Sequence, residues 1–310
     1  MPTINNVGPD NGNPGSHVIL KKNVFADKMA KVTLYSSELM NSTQTPLTAD
    51  QVQAFNDDGY LVLRQFFGLE QMQLLDDIAK ADKVMDDADE LLDSEGAVSR
   101  ISCWNDLQDD IYSAFACNER IVAASEQLMG DEVYHFHHKM ILKEPRVGGA
   151  WEWHQDFGYW YLQQHVLFPD MLSAAIAVDA ANQENGCLQV LRGSHKCGRI
   201  EHGSVGDQTG ADMEKVQALL DFYKLEHVYV ALDPGDVLFF HCNTLHRSEQ
   251  NRSERSRWTL ICCYNTRHND TYALTDDDHP AYRALERWPD EKVLELGKRD
   301  HPSHQQPESK

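Results

Sequence analysis

The sequence predicts a mainly β fold, a double-sheet jelly roll or barrel with N-terminal and C-terminal helices packed on its outside. Three observations predict it. Seven short apolar runs follow one another from about residue 132 onward. Turn residues separate them: Gly148-Gly149, Asn185-Gly186, Gly193-Ser194 and Asp233-Pro234-Gly235-Asp236. Helical periodicity is confined to the two ends and one insertion.

In chain order, residues 1–45 begin rich in Asn, Gly and Pro and read as a flexible, variable extension. A single domain over 46–299 follows, then a polar tail over 300–310. The domain opens at Thr48-Ala49-Asp50-Gln51, a capping box ahead of Val52 and Phe55. Asp57-Asp58-Gly59 stops that helix, and residues 60–63 form a short buried strand. Met72, Leu75 and Ile78 place a second helix over 69–83, with weaker helical character through 86–92. The strands are 133–143, 150–156, 173–179, 188–191, 227–231, 236–241 and 258–264. A helix over 211–223 interrupts them, and 281–297 forms the C-terminal helix.

Composition narrows the function. The 310 residues carry 28 basic and 49 acidic side chains, a net charge of −21, which repels a phosphate backbone and excludes a nucleic-acid partner. Acidic clusters such as Asp86-Asp87 and Asp276-Asp277-Asp278 read as solvated surface. Seven cysteines, an odd number with no CxxC, give neither a disulfide framework nor a zinc cluster. Reduced thiols, no membrane-spanning run and no secretory signal predict a cytoplasmic protein.

The chemistry centres on Trp153-His154-Gln155-Asp156-Phe157. On an extended segment, His154 and Asp156 project to the same side. His246, at the end of the strand through Phe239 and Phe240, can complete a three-point face on one metal. Two histidines and a carboxylate with open positions suit a non-haem Fe(II) oxygenase. Arg257, eleven residues after His246, opens the last strand, where a buried guanidinium needs a counter-charge. The carboxylate of an organic cosubstrate supplies one; a salt bridge to Glu249 or Glu254 is the alternative. His-x-Asp alone is weak, since roughly one accidental copy is expected in a chain so rich in both residues. A second copy, His268-Asn269-Asp270, reads as a surface loop. His137, His138, His195 and His241 read as packed or surface histidines. Trp151, Trp153, Phe157, Tyr159, Trp160 and Tyr161 crowd the motif. Some of these rings belong to the core and others wall a substrate pocket, for which Trp153, Phe157 and Trp160 are the candidates.

Several segments together resemble the phytanoyl-CoA dioxygenase family. They are His154-Gln155-Asp156, Glu184-Asn185-Gly186-Cys187-Leu188, Val190 to Lys196, Pro234 to His241, Leu245-His246-Arg247-Ser248, Asn251 and Arg257. The resemblance runs from about residue 46 to 270. It implies a double-stranded β-helix of cupin-like jelly-roll form that uses Fe(II), 2-oxoglutarate and O2. It implies that His154, Asp156 and His246 ligate the iron and carry catalysis. Arg257 then holds the distal carboxylate of 2-oxoglutarate, with Ser248 as a helper and Lys139 as a further contact. The reaction implied is hydroxylation of an unactivated C–H on a small-molecule metabolite, with release of succinate and CO2. An aspartate at 156, where related halogenases carry a small residue, favours hydroxylation. Ala175 stands where phytanoyl-CoA hydroxylase has tryptophan, and residues 159–164 do not reproduce the ectoine hydroxylase signature. Two other readings remain: a cupin-type metalloenzyme that does not use 2-oxoglutarate, and a non-catalytic binding protein that keeps the fold.

Overall fold

The computed structural model describes residues 46–272 and 281–304. The expectations for residues 1–45, for Asp276-Asp277-Asp278 and for 305–310 lie outside the described residues. Helix α1 (Ala49–Asp58) starts at Thr48, where both arms of the capping box form, and stops at Gly59 in a left-handed conformation. Then come β1 (Tyr60–Leu63), α2 (Leu69–Ala81), β2 (Asp89–Leu92), β3 (Val98–Trp104), α3 (Ile111–Ala116), α4 (Glu119–Met129) and β4 (Val133–Lys143). The middle of the chain holds β5 (Trp151–His154), α5 (Asp156–Gln163), β6 (Met171–Ala177), β7 (Leu188–Leu191), β8 (His202–Val205), β9 (Gln208–Ala211) and α6 (Met213–Asp221). It ends with β10 (His227–Tyr229), β11 (Val237–His241), β12 (His246–Ser248), β13 (Arg257–Thr266) and α7 (Asp290–Asp300).

Two antiparallel sheets make the double-stranded β-helix. A seven-stranded sheet runs β1-β11-β6-β13-β4-β3-β2, and a four-stranded sheet runs β10-β7-β12-β5. One core, built from Leu75, Phe115, Ile121, Met140, Phe239 and Leu260 among others, joins the helices to the outer face of the large sheet. A second, with Phe136, Trp160, Ala175, Val190, Leu238 and Phe240, fills the space between the sheets. This two-sided burial explains why β6, β11 and β13 read as continuous apolar runs and not as alternating ones.

The structure corrects several expectations. Asp89–Leu92 is not helical; it is an edge strand paired with β3. Strand β3, helices α3 and α4, and the β8–β9 hairpin have no counterpart in the sequence reading. The C-terminal helix starts at Asp290, not 281, because Pro289 at the N-cap keeps Trp288 out of helical backbone, and Asp290 and Glu291 fill the first turn, where acidic groups favour the helix dipole. His246 does not end the 236–241 strand. That strand stops at His241, the chain turns, and His246 opens β12 in the other sheet. All seven cysteines are free.

Candidate metal centre

The site forms at the junction of β5 and α5. Strand β5 ends at His154, Gln155 stays extended (φ −112°, ψ 132°), and Asp156 is the first residue of α5. The expectation of one strand through 156 is thus corrected to a strand-to-helix turn. An aspartate suits that position because carboxylates are favoured at helix N-termini.

Gln155 is fully buried, and its side chain braces the turn. Its Nε2 donates to the carbonyls of Gly198 and Asn243, both at 2.8 Å, and its Oε1 accepts from Ile200 N at 2.7 Å. Its backbone N–H donates to His202 Nε2 at 2.9 Å.

Across the sheet, His246 pairs in register with His154, and the two rings lie 4.1 Å apart between centroids. His154 Nδ1 lies 2.7 Å from Glu152 O, and His246 Nδ1 lies 2.9 Å from Thr244 O. A carbonyl oxygen only accepts, so each Nδ1 carries the proton and each Nε2 presents a lone pair inward. Asp156 Oδ1 lies 3.7 Å from His154 Nε2 and 3.8 Å from His246 Nε2. The three donor atoms fall within 4.8 Å of one another, the one such group among the described residues. Burial, then the other imidazole, pushes His154 down to about 3, and burial lowers His246 as well. Burial works to raise the Asp156 carboxyl, but Lys139, His246 and His154 overcome it and bring it to about 2. At neutral pH the trio is two neutral imidazoles and one carboxylate, the protonation state a divalent cation requires.

A cavity of about 310 Å³ lies against these donors, between the sheets. Arg257, Ser248, Lys139 and Trp160 line it together with the trio. Arg257 is 3% exposed. The two glutamates that might have paired with it are taken: Glu249 by Arg247 and Glu254 by Arg146. Among the described residues no carboxylate forms an ion pair with Arg257. Its Nε and the Ser248 hydroxyl are buried without hydrogen-bond partners. Burial draws the guanidinium down to about 10, which leaves it charged at neutral pH. A cationic fork and an idle hydroxyl on one cavity wall are what a ligand carboxylate would satisfy. Lys139 is half-buried. Burial lowers its pKa, but Cys263, Asp156 and Cys103 outweigh burial and raise it.

Trp153 and Phe157 do not reach this cavity. Trp153 packs with Leu191, Val216 and Leu245 under the Arg247 guanidinium, and Phe157 packs in the core between the sheets. Trp153 adjoins His154 on β5, and alternation sends it to the opposite face. A register shift adds to this, for His246 faces His154 but Ser248 faces Trp151, two residues against three. The irregularity brings Trp151, three residues before His154, to the same cavity wall. Tyr159, Trp151, His137 and, from the unforeseen hairpin, Asp207 and Thr209 also line the wall. His268 of the second His-x-Asp is exposed between Asp131 (2.6 Å) and Asp170 (2.7 Å) and is not part of the convergent donor trio.

A jelly roll that holds two histidines and a carboxylate between its sheets, beside a buried arginine, defines a non-haem iron oxygenase. Residues 55–259 match the phytanoyl-CoA dioxygenase (PhyH) family, and the chain belongs to it. It is 31% identical over 158 residues to L-proline trans-4-hydroxylase of Streptomyces griseoviridis, a match spanning 47% of this chain and 59% of that one. Ectoine dioxygenase of Sphingopyxis alaskensis is 28% identical over 238 residues, 72% of this chain and 78% of its own. The crystal structure of EctD from S. alaskensis with bound Fe superposes with a TM-score of 0.65 at 25% identity, covering 80% of this chain and 89% of that one. The protein is a 2-oxoglutarate-dependent dioxygenase that uses Fe(II), 2-oxoglutarate and O2. No helix among the described residues is long and apolar enough to cross a membrane.

Proposed function

We propose that this dioxygenase hydroxylates an unactivated C–H of a small-molecule metabolite, with His154, Asp156 and His246 as the iron ligands and Arg257, Ser248 and Lys139 as the cosubstrate contacts. The observation that carries the reading is the joint placement of a convergent donor trio and an unpaired buried guanidinium on one cavity. Bound iron, with 2-oxoglutarate and O2, supplies the oxidising power for C–H cleavage and leaves succinate and CO2. The protein's part is binding, orientation and exclusion of water. The carbonyls of Glu152 and Thr244 hold the imidazoles in one tautomer. Arg257 and Ser248 fix one carboxylate of the cosubstrate, and Lys139 lies close enough to Asp156 to favour a second negative group beside the metal. The apolar wall of Ile141, Leu188, Ile261 and Phe240 keeps the site dry.

Size and polarity bear on the substrate. A cavity of about 310 Å³ is at the small end of ligand sites, which run ~300–1,000 Å³, and it must also take the cosubstrate. An acyl-coenzyme A could not be enclosed. With Arg257 and Lys139 committed to the cosubstrate, Asp207 is the one carboxylate left on the wall besides Asp156. The indole of Trp151, also on that wall, suits a cationic nitrogen. The relatives named for L-proline and ectoine are in keeping with a small-molecule substrate here. The catalytic unit is residues 46–299, and its free thiols fit a reducing compartment such as the cytoplasm.

The test is succinate release from 2-oxoglutarate by the iron-loaded protein, with a panel of small amines and amino acids as prospective substrates. Stimulation by members of that panel is expected. His154→Ala and Asp156→Ala are expected to abolish turnover; full activity in either variant refutes the ligand assignment.

A further inference from the structure

The two oxygens of the Asp156 carboxylate are not equivalent. Oδ2 accepts the Ser173 hydroxyl of β6 at 2.9 Å. Oδ1 is the oxygen that faces both imidazoles, and it accepts the Tyr159 hydroxyl at 2.7 Å. Tyr159 stands three residues along α5, on the same helix face as Asp156. Its ring lies beside His154, 6.3 Å between centroids, and its side chain forms part of the cavity wall.

We infer that Tyr159 is a positioning residue for the metal: its hydroxyl fixes Asp156 Oδ1 as the single coordinating oxygen and so keeps the remaining coordination positions free for the cosubstrate. This rests on the ligand reading above and adds to it. A carboxylate oxygen has lone pairs for two partners, so a phenol O–H and a cation can share Oδ1. Ser173 holds Oδ2 in the other direction, and rotating the carboxylate to chelate through both oxygens would strain or break both hydrogen bonds. Hydrogen bonds to a carboxylate are short and strong, which makes that rotation costly. A chelating carboxylate would occupy one further coordination position beside the metal, at the expense of a bidentate cosubstrate. No other hydroxyl among the described residues bonds Asp156 Oδ1.

The experiment titrates Co(II), whose visible spectrum reports coordination number and geometry, into the metal-free full chain. Tyr159→Phe removes one oxygen and keeps the ring. It is expected to weaken Co(II) binding about tenfold, the usual scale for a group that orients a metal ligand, and to change the visible band. The thermal midpoint of the metal-free protein should fall by only a few degrees, the loss of one hydrogen bond with the ring packing kept. Ser173→Ala, which frees the other oxygen, is the second variant. It is expected to keep the wild-type band, because the Tyr159 hydroxyl still fixes Oδ1. A band of higher coordination with Tyr159 intact would overturn the role of Tyr159, which keeps the inference testable if the first variant folds poorly. Asp156→Ala run alongside separates two failures. If that variant takes up Co(II) like wild type, the ligand reading fails. If it loses uptake and Tyr159→Phe matches wild type in affinity and spectrum, the role of Tyr159 is overturned.

Discussion

Arg257 combines two opposed tendencies in one side chain. Its guanidinium is buried, charged and without an ion pair among the described residues, a state that costs stability in the ligand-free protein. The same state makes it a strong grip for a carboxylate. Arg257→Met should therefore move two measurements in opposite directions. Without cosubstrate it should raise stability by about 1–3 kcal/mol, the cost of an unsatisfied buried group. It should weaken 2-oxoglutarate binding by about 2–5 kcal/mol, at least ~30-fold. Chemical denaturation and equilibrium binding check the pair. A variant that is less stable yet binds 2-oxoglutarate normally would show that Arg257 is a structural cation. The glutamate alternatives looked equally good in sequence because they lie within a few residues. The fold turns them outward, to Arg146 and Arg247.

The β5–α5 turn shows what an element adds. Gly158 sits in the first turn of α5, where an added Cβ would lie 2.1 Å from His202 Cε1 and 2.3 Å from Nδ1. His202 is tied on both sides, with Nδ1 donating to Ile200 O and Nε2 accepting the Gln155 N–H. Gly158→Ala should push that ring away, loosen Gln155 and tilt the turn that presents His154 and Asp156. A loss of about 1–3 kcal/mol, typical of overpacking, is expected, with iron affinity falling alongside. Denaturant midpoints together with metal titration measure both; unchanged values in the variant would remove the brace from the account.

Much of this element-level order was legible in the sequence, and the exceptions have physical causes. Strands β4 and β7 and the β1 strand match their expected bounds because turn residues and apolar runs mark their ends. The capping box at Thr48 locates α1 because its side chains make the cap. Residues 86–92 mislead because four exposed acidic residues, an alanine and two leucines carry no clear period, and β2 exists only by pairing with β3. The β8–β9 hairpin, with Gly203, Gly206 and Gly210, has almost no apolar signal, so Asp207 and Thr209 could not be placed on the cavity wall. The convergence of His154, Asp156 and His246 and the place of Arg257 on the same cavity were legible, since their spacing is chemical. The aromatic wall was legible only in part. Trp160 lines the cavity and Trp153 does not, as alternation beside His154 already implies, whereas the shift that brings Trp151 onto the wall is set by pairing with β12, which a single strand does not contain.

At the scale of the whole molecule, buried imidazoles set the response to acid. His138 is buried in β4, where burial and then His135 hold its pKa well below the ordinary value. Burial and then His195 bring His241 to about 4. Above about pH 6.5, the ordinary histidine value, these groups are neutral folded or unfolded and stability is flat on their account. Below it the unfolded chain binds protons that the folded chain refuses, so stability falls as pH falls, by about 1.4 kcal/mol per unit for each histidine. For His241 the loss continues down to about pH 4. His268 has the opposite sign. Burial works against its charged form, but Asp131 and Asp170 raise its pKa. Its contribution is complete below about pH 6.5 and disappears as pH rises through the raised value. Denaturation from pH 4 to 9 should show both slopes. His241→Gln should flatten the acid limb, and His268→Gln should cost stability at pH 6 but little at pH 9. An acid limb unchanged in His241→Gln would contradict the assignment.

The central claim is that one ferrous ion sits between β5, α5 and β12 and is held by His154, Asp156 and His246. Anaerobic titration of the metal-free protein with Fe(II), then with 2-oxoglutarate, followed by visible absorption, tests it most directly. One iron per chain and a new charge-transfer band on adding 2-oxoglutarate are expected, both lost in His246→Ala. An iron site in His246→Ala with the stoichiometry, affinity and band of the wild type would contradict the account.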